Sequence, residues 1–419
     1  MIWVRLILVL VLSFSCFGLD RTDNAFLEDL EHRSFLYFWE QADPSTGLVR
    51  DRARNDGSTT HGHSSDIASI AATGFGLTGI CIAADRHWIT EQQARDRIGL
   101  TLRFLAQRAP RSHGFYYHWM DVSTGERRWQ SEFSSIDTAL LLGGVLTVRE
   151  RFRRYTDIVD MADLIYTRVD FQWMLNGSQD LLSHGWRPEN GFIPYRWDSY
   201  CELMMLYLLA IGSPTHAIPP ESWYAWSRPK VSYEGFTYVG LAPLFTYQYS
   251  QAWVDFRHRR DAAPSGIDYF ENSVAATRAH RAFCMGLGTR FPLSFGPNLW
   301  GITASDSPRG YIIWGGPPGS PSIDGTVVPY GPGGSLMFTP DISLPALRAM
   351  RGKYGDQLYG HYGFADAFNP TTGWFDTEVI GIDAGITMLS AENLRTGNVW
   401  KWFMRNPDMP KAMRLAKFS

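Results

Sequence analysis

Two kinds of stretch alternate along this chain, and the alternation decides most of what it can fold into. The first kind is apolar on every side. Its members begin near residues 65, 134, 199, 241, 300 and 379. In the third, Leu203, Met204, Met205, Leu206, Leu208, Leu209 and Ile211 leave no face for water. A helix without a wet face has to be buried. The second kind is amphipathic, with members beginning near 24, 90, 155, 217, 268 and 341. Between Thr90 and Ala106, for instance, Glu91, Arg95, Asp96 and Arg103 mark a solvated side. Six such pairs predict an all-α chain folded as a single (α/α)6 toroid: six inner helices, six outer helices, and long loops at the mouth where the inner helices start. The units share a pattern and not identity. No low-complexity linker divides them, so residues 19–419 read as one domain.

Ahead of that domain, Arg5 precedes an apolar run from Leu6 to Phe17. Residues 1–18 therefore read as a secretory signal peptide, too short to span a membrane. A periplasmic or secreted location is expected, with Cys16 a weak site for a lipid anchor. Cys81, Cys201 and Cys284 remain, each in an apolar segment. They form no disulfide framework, and no Cys/His spacing suggests zinc, so neither a metal nor a cofactor is expected. A net charge of -3 offers no basic surface for nucleic acid.

Between the helices lie loops rich in glycine and aromatics. Short strands are expected in 113–129 and 308–330. Trp300 to Ser305 is read as a short inner helix. The Gly/Pro tract 308–334 lacks any period and is read as a functional loop that holds no core helix.

Parallel inner helices place their N-terminal ends at one mouth. That gathers Asp66, Asp137, Glu202 and Asp383, each near the head of an apolar stretch. Such acids stabilise helix ends in any fold. Four converging in an aromatic-lined cleft suit glycoside hydrolysis, where one carboxylic acid protonates the leaving oxygen and a second carboxylate activates water or attacks the sugar. Apolar surroundings raise the proton affinity of Glu202 while a helix N-terminus lowers it, and the role of general acid needs the first effect to win. Gly381, Ala384 and Gly385 leave space beside Asp383, as a water-activating base requires. The sugar contacts expected are Asp66, Asp137, Glu132, His61, Trp119, Trp186, Tyr247, Gln248, Trp300, Asp306 and Trp374. His61 and His63 are read as sugar-binding or exposed in preference to metal ligands. No phosphate loop or nucleophile elbow is present.

The stretches YCELMMLYLLAIGSPTH (200–216), PLFTYQYSQAWVDFRHRRD (243–261), DYFENSVAATRAHRAFC (268–284), WGITASDSPRGY (300–311), YGDQLYGHYGFADAFN (354–369) and IGIDAGITMLSAENLRTGNVWKWFMRNP (380–407) carry a resemblance. In these the chain resembles the bacterial glycoamylase-like family, which includes the glycoside hydrolase family 144 endo-β-1,2-glucanases. The resemblance covers most of the mature chain. It implies the same toroid and an inverting, endo-acting cleavage of β-1,2-glucan into short sophoro-oligosaccharides. On this basis Glu202 is the expected acid, Asp383 the expected base, and Asp137 a further cleft carboxylate. The partner implied is an oligo- or polysaccharide. The chain departs from the family at Ala384, where Gln is common, and at Tyr247 and Gln251, where His is common. Other readings are a carbohydrate-binding, transglycosylating or envelope-assembly protein with an altered site, and a lyase or epimerase on the same toroid.

Overall fold

The computed structural model describes residues 18–58, 66–262, 264–319 and 322–419. The expected signal segment, apart from Gly18, and His61 and His63 lie outside these residues. Helices dominate. The first part of the chain holds α1 (Arg21–Glu40), α2 (Ile70–Asp85), α3 (Glu91–Arg103, continued by a wider π turn over Phe104–Arg108), α4 (Ser135–Arg151), α5 (Thr156–Thr167) and α6 (Phe171–Met174). The middle holds α7 (Met204–Gly212), α8 (Ser222–Ala225), α9 (Tyr249–Trp253) and α10 (Tyr269–Leu287). The last part holds α11 (Tyr330–Gly334), α12 (Pro340–Tyr354), α13 (Gly381–Arg395), α14 (Asn398–Phe403) and α15 (Asp408–Leu415).

Their burial follows the composition. Every residue of α7, α9 and α11 is buried, as are nearly all of α2, α4 and α13. The apolar surface these helices carry has nowhere else to go. By contrast α1, α3, α5, α10 and α12 each bury one stripe and wet the other. The buried helices touch one another, α2 against α4 and α13, and α13 against α9 and α11. The C-terminal α14 packs on α4, α9 and α13, and α15 packs on α7. Among the described residues no helix is long and apolar enough to cross a membrane.

Small antiparallel sheets sit at the entrances to three buried helices. Ile67–Ser69 pairs with Trp119–Asp121 ahead of α2. Phe133–Ser134 pairs with Gly185–Arg187 ahead of α4. Arg52–Arg54 pairs with Glu378–Ile380 ahead of α13. These pairings tie sequence-distant loops together where the buried helices begin.

Several expectations need correction. No helix forms over 300–305; the fifth buried segment is α11, inside the Gly/Pro tract that was read as excluding core helix. Its glycines provide close approach. A Cβ on Gly333 would lie 2.4 Å from Thr387 Oγ1, and one on Gly334 would lie 2.5 Å from Gln248 Oε1. Lack of a period here reflects side chains removed to let neighbours in. Among the described residues of 308–330 no strand forms, and the pairing is confined to isolated bridges such as Val327 to Phe368. The stretch 155–176 breaks into α5 and α6, and 241–256 shortens to a 3₁₀ turn over Leu244–Tyr247 followed by α9. Neither Asp66 nor Glu202 heads a helix. Asp66 stands in a turn before a strand, with Ser69 capping α2, and Glu202 lies in the turn before α7.

The tightest helix crossing is that of α2 on α4. A Cβ on Gly74 would come within 2.3 Å of the Leu140 carbonyl, and one on Gly144 within 2.1 Å of the Gly74 carbonyl. These are backbone contacts that no rotamer change relieves. Gly74→Ala and Gly144→Ala are each expected to lower stability by about 1–3 kcal/mol, read as a reduced urea midpoint at unchanged m-value.

Candidate active site

Glu202 sits in the turn ahead of α7, and its backbone carbonyl accepts a 2.5 Å hydrogen bond from Ser250 Oγ. The residue keeps part of its surface open. Burial pushes its carboxyl up to about 7, and the charge of Asp137 adds to the rise. Asp137 lies in the first turn of α4, where Ser134 caps the helix. The Ser134 hydroxyl donates to Asp137 Oδ2 at 2.5 Å and accepts from the Asp137 amide at 3.2 Å. His118 joins this group from the strand-rich loop before α4. Its Nε2 lies 3.4 Å from Asp137 Oδ1, and its Nδ1 lies 3.2 Å from Glu132 Oε1. Trp119 stacks on the imidazole with ring centroids 3.4 Å apart. Burial disfavours the imidazolium, but the two carboxylates outweigh it and raise the proton affinity of His118. Burial likewise opposes ionisation of Glu132, yet the hydrogen bond and charge of His118 pull that carboxyl down to about 2.

Asp383 occupies the first turn of α13 and is 3% exposed. Burial pushes its carboxyl up to about 7; hydrogen bonds with Asp366 and Tyr249 oppose the rise, while the charges of Asp306 and Asp51 add to it. The Tyr249 hydroxyl stands 3.5 Å from Asp383 Oδ1. Asp366 is fully buried and accepts from the Asp306 amide at 2.7 Å. Burial, and then the charge of Asp383, raise its proton affinity well above the carboxylate range. The charge of each carboxyl disfavours ionisation of the other, so the two do not ionise independently. Arg52 reaches Asp306 at 2.7 Å, Asp51 at 3.2 Å and Glu378 at 3.4 Å.

One side chain joins the two halves. Burial holds the Tyr249 phenol protonated, and the charges of both Asp383 and Glu202 act in the same direction. Its ring stacks on Phe245, with centroids 5.0 Å apart. Tyr311 is half exposed as a residue; desolvation of its phenol and then the charges of Asp383 and Asp366 raise its proton affinity.

The structure thus brings together Glu202, Asp137, Glu132 and Trp119 on one side and Asp383 with Asp306 on the other. Trp186 belongs to the strand beside Arg187, whose guanidinium is 3.6 Å from Glu132. Trp374 lies half-buried in a hairpin two residues before Asp376. Asp66 is exposed in its turn. Two expected sugar contacts are core residues instead. Trp300 is 0% exposed. Gln248 is 1% exposed and donates to the Gly331 carbonyl and Ser335 Oγ, which fastens α9 to α11. Tyr247 is buried against Tyr200 and Tyr238 and lines a separate cavity of about 330 Å³ with Leu241 and His280. The glycines beside Asp383 open no space either. A Cβ on Gly385 would lie 2.4 Å from Phe75, and one on Gly381 would lie 2.9 Å from Ala72. They serve helix packing.

His118, Tyr249, Tyr311 and Asp366 escaped the sequence reading. Asp366 carried a signal: it is a lone acid inside the aromatic run YGFADAFNP. Among the described residues, two groups each hold three potential metal-ligand atoms within 4.8 Å of one another, namely His118, Glu132, Asp137 and Asp306, Asp366, Asp376. In the first group both imidazole nitrogens already face carboxylates, so it is a closed hydrogen-bonded network.

Comparison with known proteins agrees with this arrangement of helices. A curated exo β-1,2-glucooligosaccharide sophorohydrolase (non-reducing end) from Parabacteroides distasonis is 29% identical over 94% of this chain, and the chain spans 58% of that protein's length. A solved endo-β-1,2-glucanase from Chitinophaga pinensis, in complex with sophorotriose and glucose, is 27% identical, with a TM-score of 0.88 over 95% of this chain and 98% of that one. A β-1,2-glucanase structure from Parabacteroides distasonis is 27% identical, with a TM-score of 0.87 over 95% of this chain and 60% of that one. The Glycoamylase family model matches residues 194–407, half of the chain, a span that runs from Pro194 through Glu202 and Asp383 to Pro407, just before α15. With the buried helices, the carboxylates and this match in agreement, the chain belongs to the Glycoamylase family.

Proposed function

We propose that this protein is a glycoside hydrolase acting on β-1,2-glucan, with Glu202 as general acid and Asp383 as general base. The observation that carries the reading is a pair of carboxyls from separate segments, each pushed up to about 7 by burial, with the Tyr249 phenol in the field of both. The β-1,2-glucan activity named for the relatives supports the substrate class. We read residues 19–419 as one catalytic (α/α)6 domain. Helices α2, α4, α7, α9, α11 and α13 form its inner ring, and a leader segment directs it to the periplasm or medium.

In this reading Glu202 stays protonated near neutral pH because its environment disfavours the anion, and it donates that proton to the departing glycosidic oxygen. Asp137 sustains the protonation through its charge, while His118 and Ser134 hold Asp137 in place. Asp383 removes a proton from the attacking water. The carboxyl of Asp366 and the hydroxyl of Tyr249 orient it. The family resemblance supports inversion and endo attack, and the relative named as an exo sophorohydrolase supports release of sophorose from the non-reducing end.

Products from linear and cyclic β-1,2-, β-1,3- and α-1,4-glucans decide among these. Oligosaccharides of mixed length from the β-1,2 polymer are expected for endo action, and sophorose alone would establish exo action. Absence of new reducing ends on any β-1,2 substrate would overturn the hydrolase reading. Glu202→Gln and Asp383→Asn are each expected to cut kcat by about 10²–10⁴-fold with the unfolding midpoint retained. Near-normal turnover in either variant removes that residue from its role.

The pH profile gives a separate check. An acid works while protonated, so activity falls as pH rises through the Glu202 titration at about 7. The charge of Asp137 raises that value, so removing the charge lowers it. Asp137→Asn is therefore expected to move the alkaline limb of kcat/KM toward lower pH. A limb that stays in place shows that Glu202 does not set it.

A further inference from the structure

Asp306, Asp366 and Asp376 come from separate loops, yet one carboxylate oxygen from each lies within 4.8 Å of the other two. Their existing partners leave part of this group unsatisfied. Asp366 is 0% exposed; its Oδ2 accepts the Asp306 amide at 2.7 Å, and its buried Oδ1 has no donor. Asp376 accepts the Glu378 amide on Oδ1 at 3.1 Å, and its buried Oδ2 has no donor. Beside them, Asp383 Oδ2 is buried in the same condition. Arg52 contacts Asp306 through one oxygen and is already shared with Asp51 and Glu378. Buried anionic oxygen without a donor is costly, and natural structures satisfy it with a proton or a cation. A shared proton serves one pair of carboxyls. A metal ion serves three oxygens at once.

We infer that Asp306, Asp366 and Asp376 form a binding site for a hard divalent cation, with Ca²⁺ the preferred ion. An all-oxygen donor set excludes the soft metals that favour thiolate or imidazole. Ligands delivered by three loops adapt to the irregular shell Ca²⁺ accepts more readily than to the strict octahedron of Mg²⁺. Asp306 and Asp376 are partly exposed, which gives an ion a way in, and Asp366 closes the inner side. Ion binding expels protons held by these carboxyls, so it is accompanied by proton release.

The test uses the full chain, stripped with EDTA and desalted, as wild type and as Asp376→Asn. Thermal unfolding is followed with millimolar CaCl₂, MgCl₂ or MnCl₂, and the wild type is titrated by calorimetry. Ca²⁺ is expected to raise the wild-type midpoint by about 3–5 °C at a hundredfold excess over Kd. The shift should vanish in Asp376→Asn, and calorimetry should count one site. If none of the three ions changes the midpoint or gives a saturable heat, protons alone satisfy the group and the proposal falls. An equal shift in Asp376→Asn places the ion elsewhere and also overturns it. Tighter binding of Mg²⁺ than Ca²⁺ overturns the choice of ion. Should the variant fold poorly, the wild-type titration still decides. None of these readouts depends on which glycosidic bond the protein cleaves.

Discussion

Helix α13 carries a buried acid near each end, and the two are treated in opposite ways. Glu392 is buried near the C-terminal end, where Arg86 meets it at 2.6 Å. Its neighbour Glu31 is held by Arg395 at 2.7 Å. Asp383, about two and a half turns away, meets a tyrosine hydroxyl and another carboxyl, and no ion pair to it forms among the described residues. Breaking a buried ion pair is strongly destabilising, and burying an acid without one is comparably costly. A fold tolerates the second arrangement where something else is gained, and perturbed acids concentrate at functional sites for that reason. The same cost raises Glu202 and Asp383 to about 7, the range where a carboxyl serves as proton donor or acceptor in neutral water.

The helical scaffold makes this arrangement durable. The buried helices present no polar face, so they pack on one another and the segments entering them are gathered at the mouth. Glycines at the α2–α4 crossing and along α11 remove the side chains that would hold backbones apart. Short strands then pin the entering loops in pairs, so His118 arrives beside Asp137 and Glu378 beside Arg52. Precision at the mouth is inherited from contacts further down, where side chains interlock at close-packed density.

Much of the mouth was legible in one dimension. Asp137 and Asp383 were visible as single acids opening apolar runs. What local pattern missed was of two sorts. Tyr249 and Asp366 sit in aromatic stretches where composition says core, and their importance comes from partners distant in sequence, Asp383 lying 134 residues from Tyr249 and Asp306 lying 60 residues from Asp366. Trp300 and Gln248 failed the other way. A tryptophan in a Gly-rich loop and a glutamine beside aromatics read as sugar contacts, yet both are consumed by the core. Loop membership does not reveal which side of the loop faces water.

The sequence by itself determined the class of fold, the alternation of buried and half-wet helices, and the short set of acids that could do chemistry. Those follow from solvent preference, which each residue carries with it wherever it lies. Only the tertiary structure decided which acids meet: Glu202 with Asp137, Asp383 with Asp366, and Tyr249 in the field of both halves. The physical reason is that desolvation and charge coupling depend on distance through space. A carboxyl becomes a proton donor, a base or an ion ligand through neighbours that the chain supplies from far along its length.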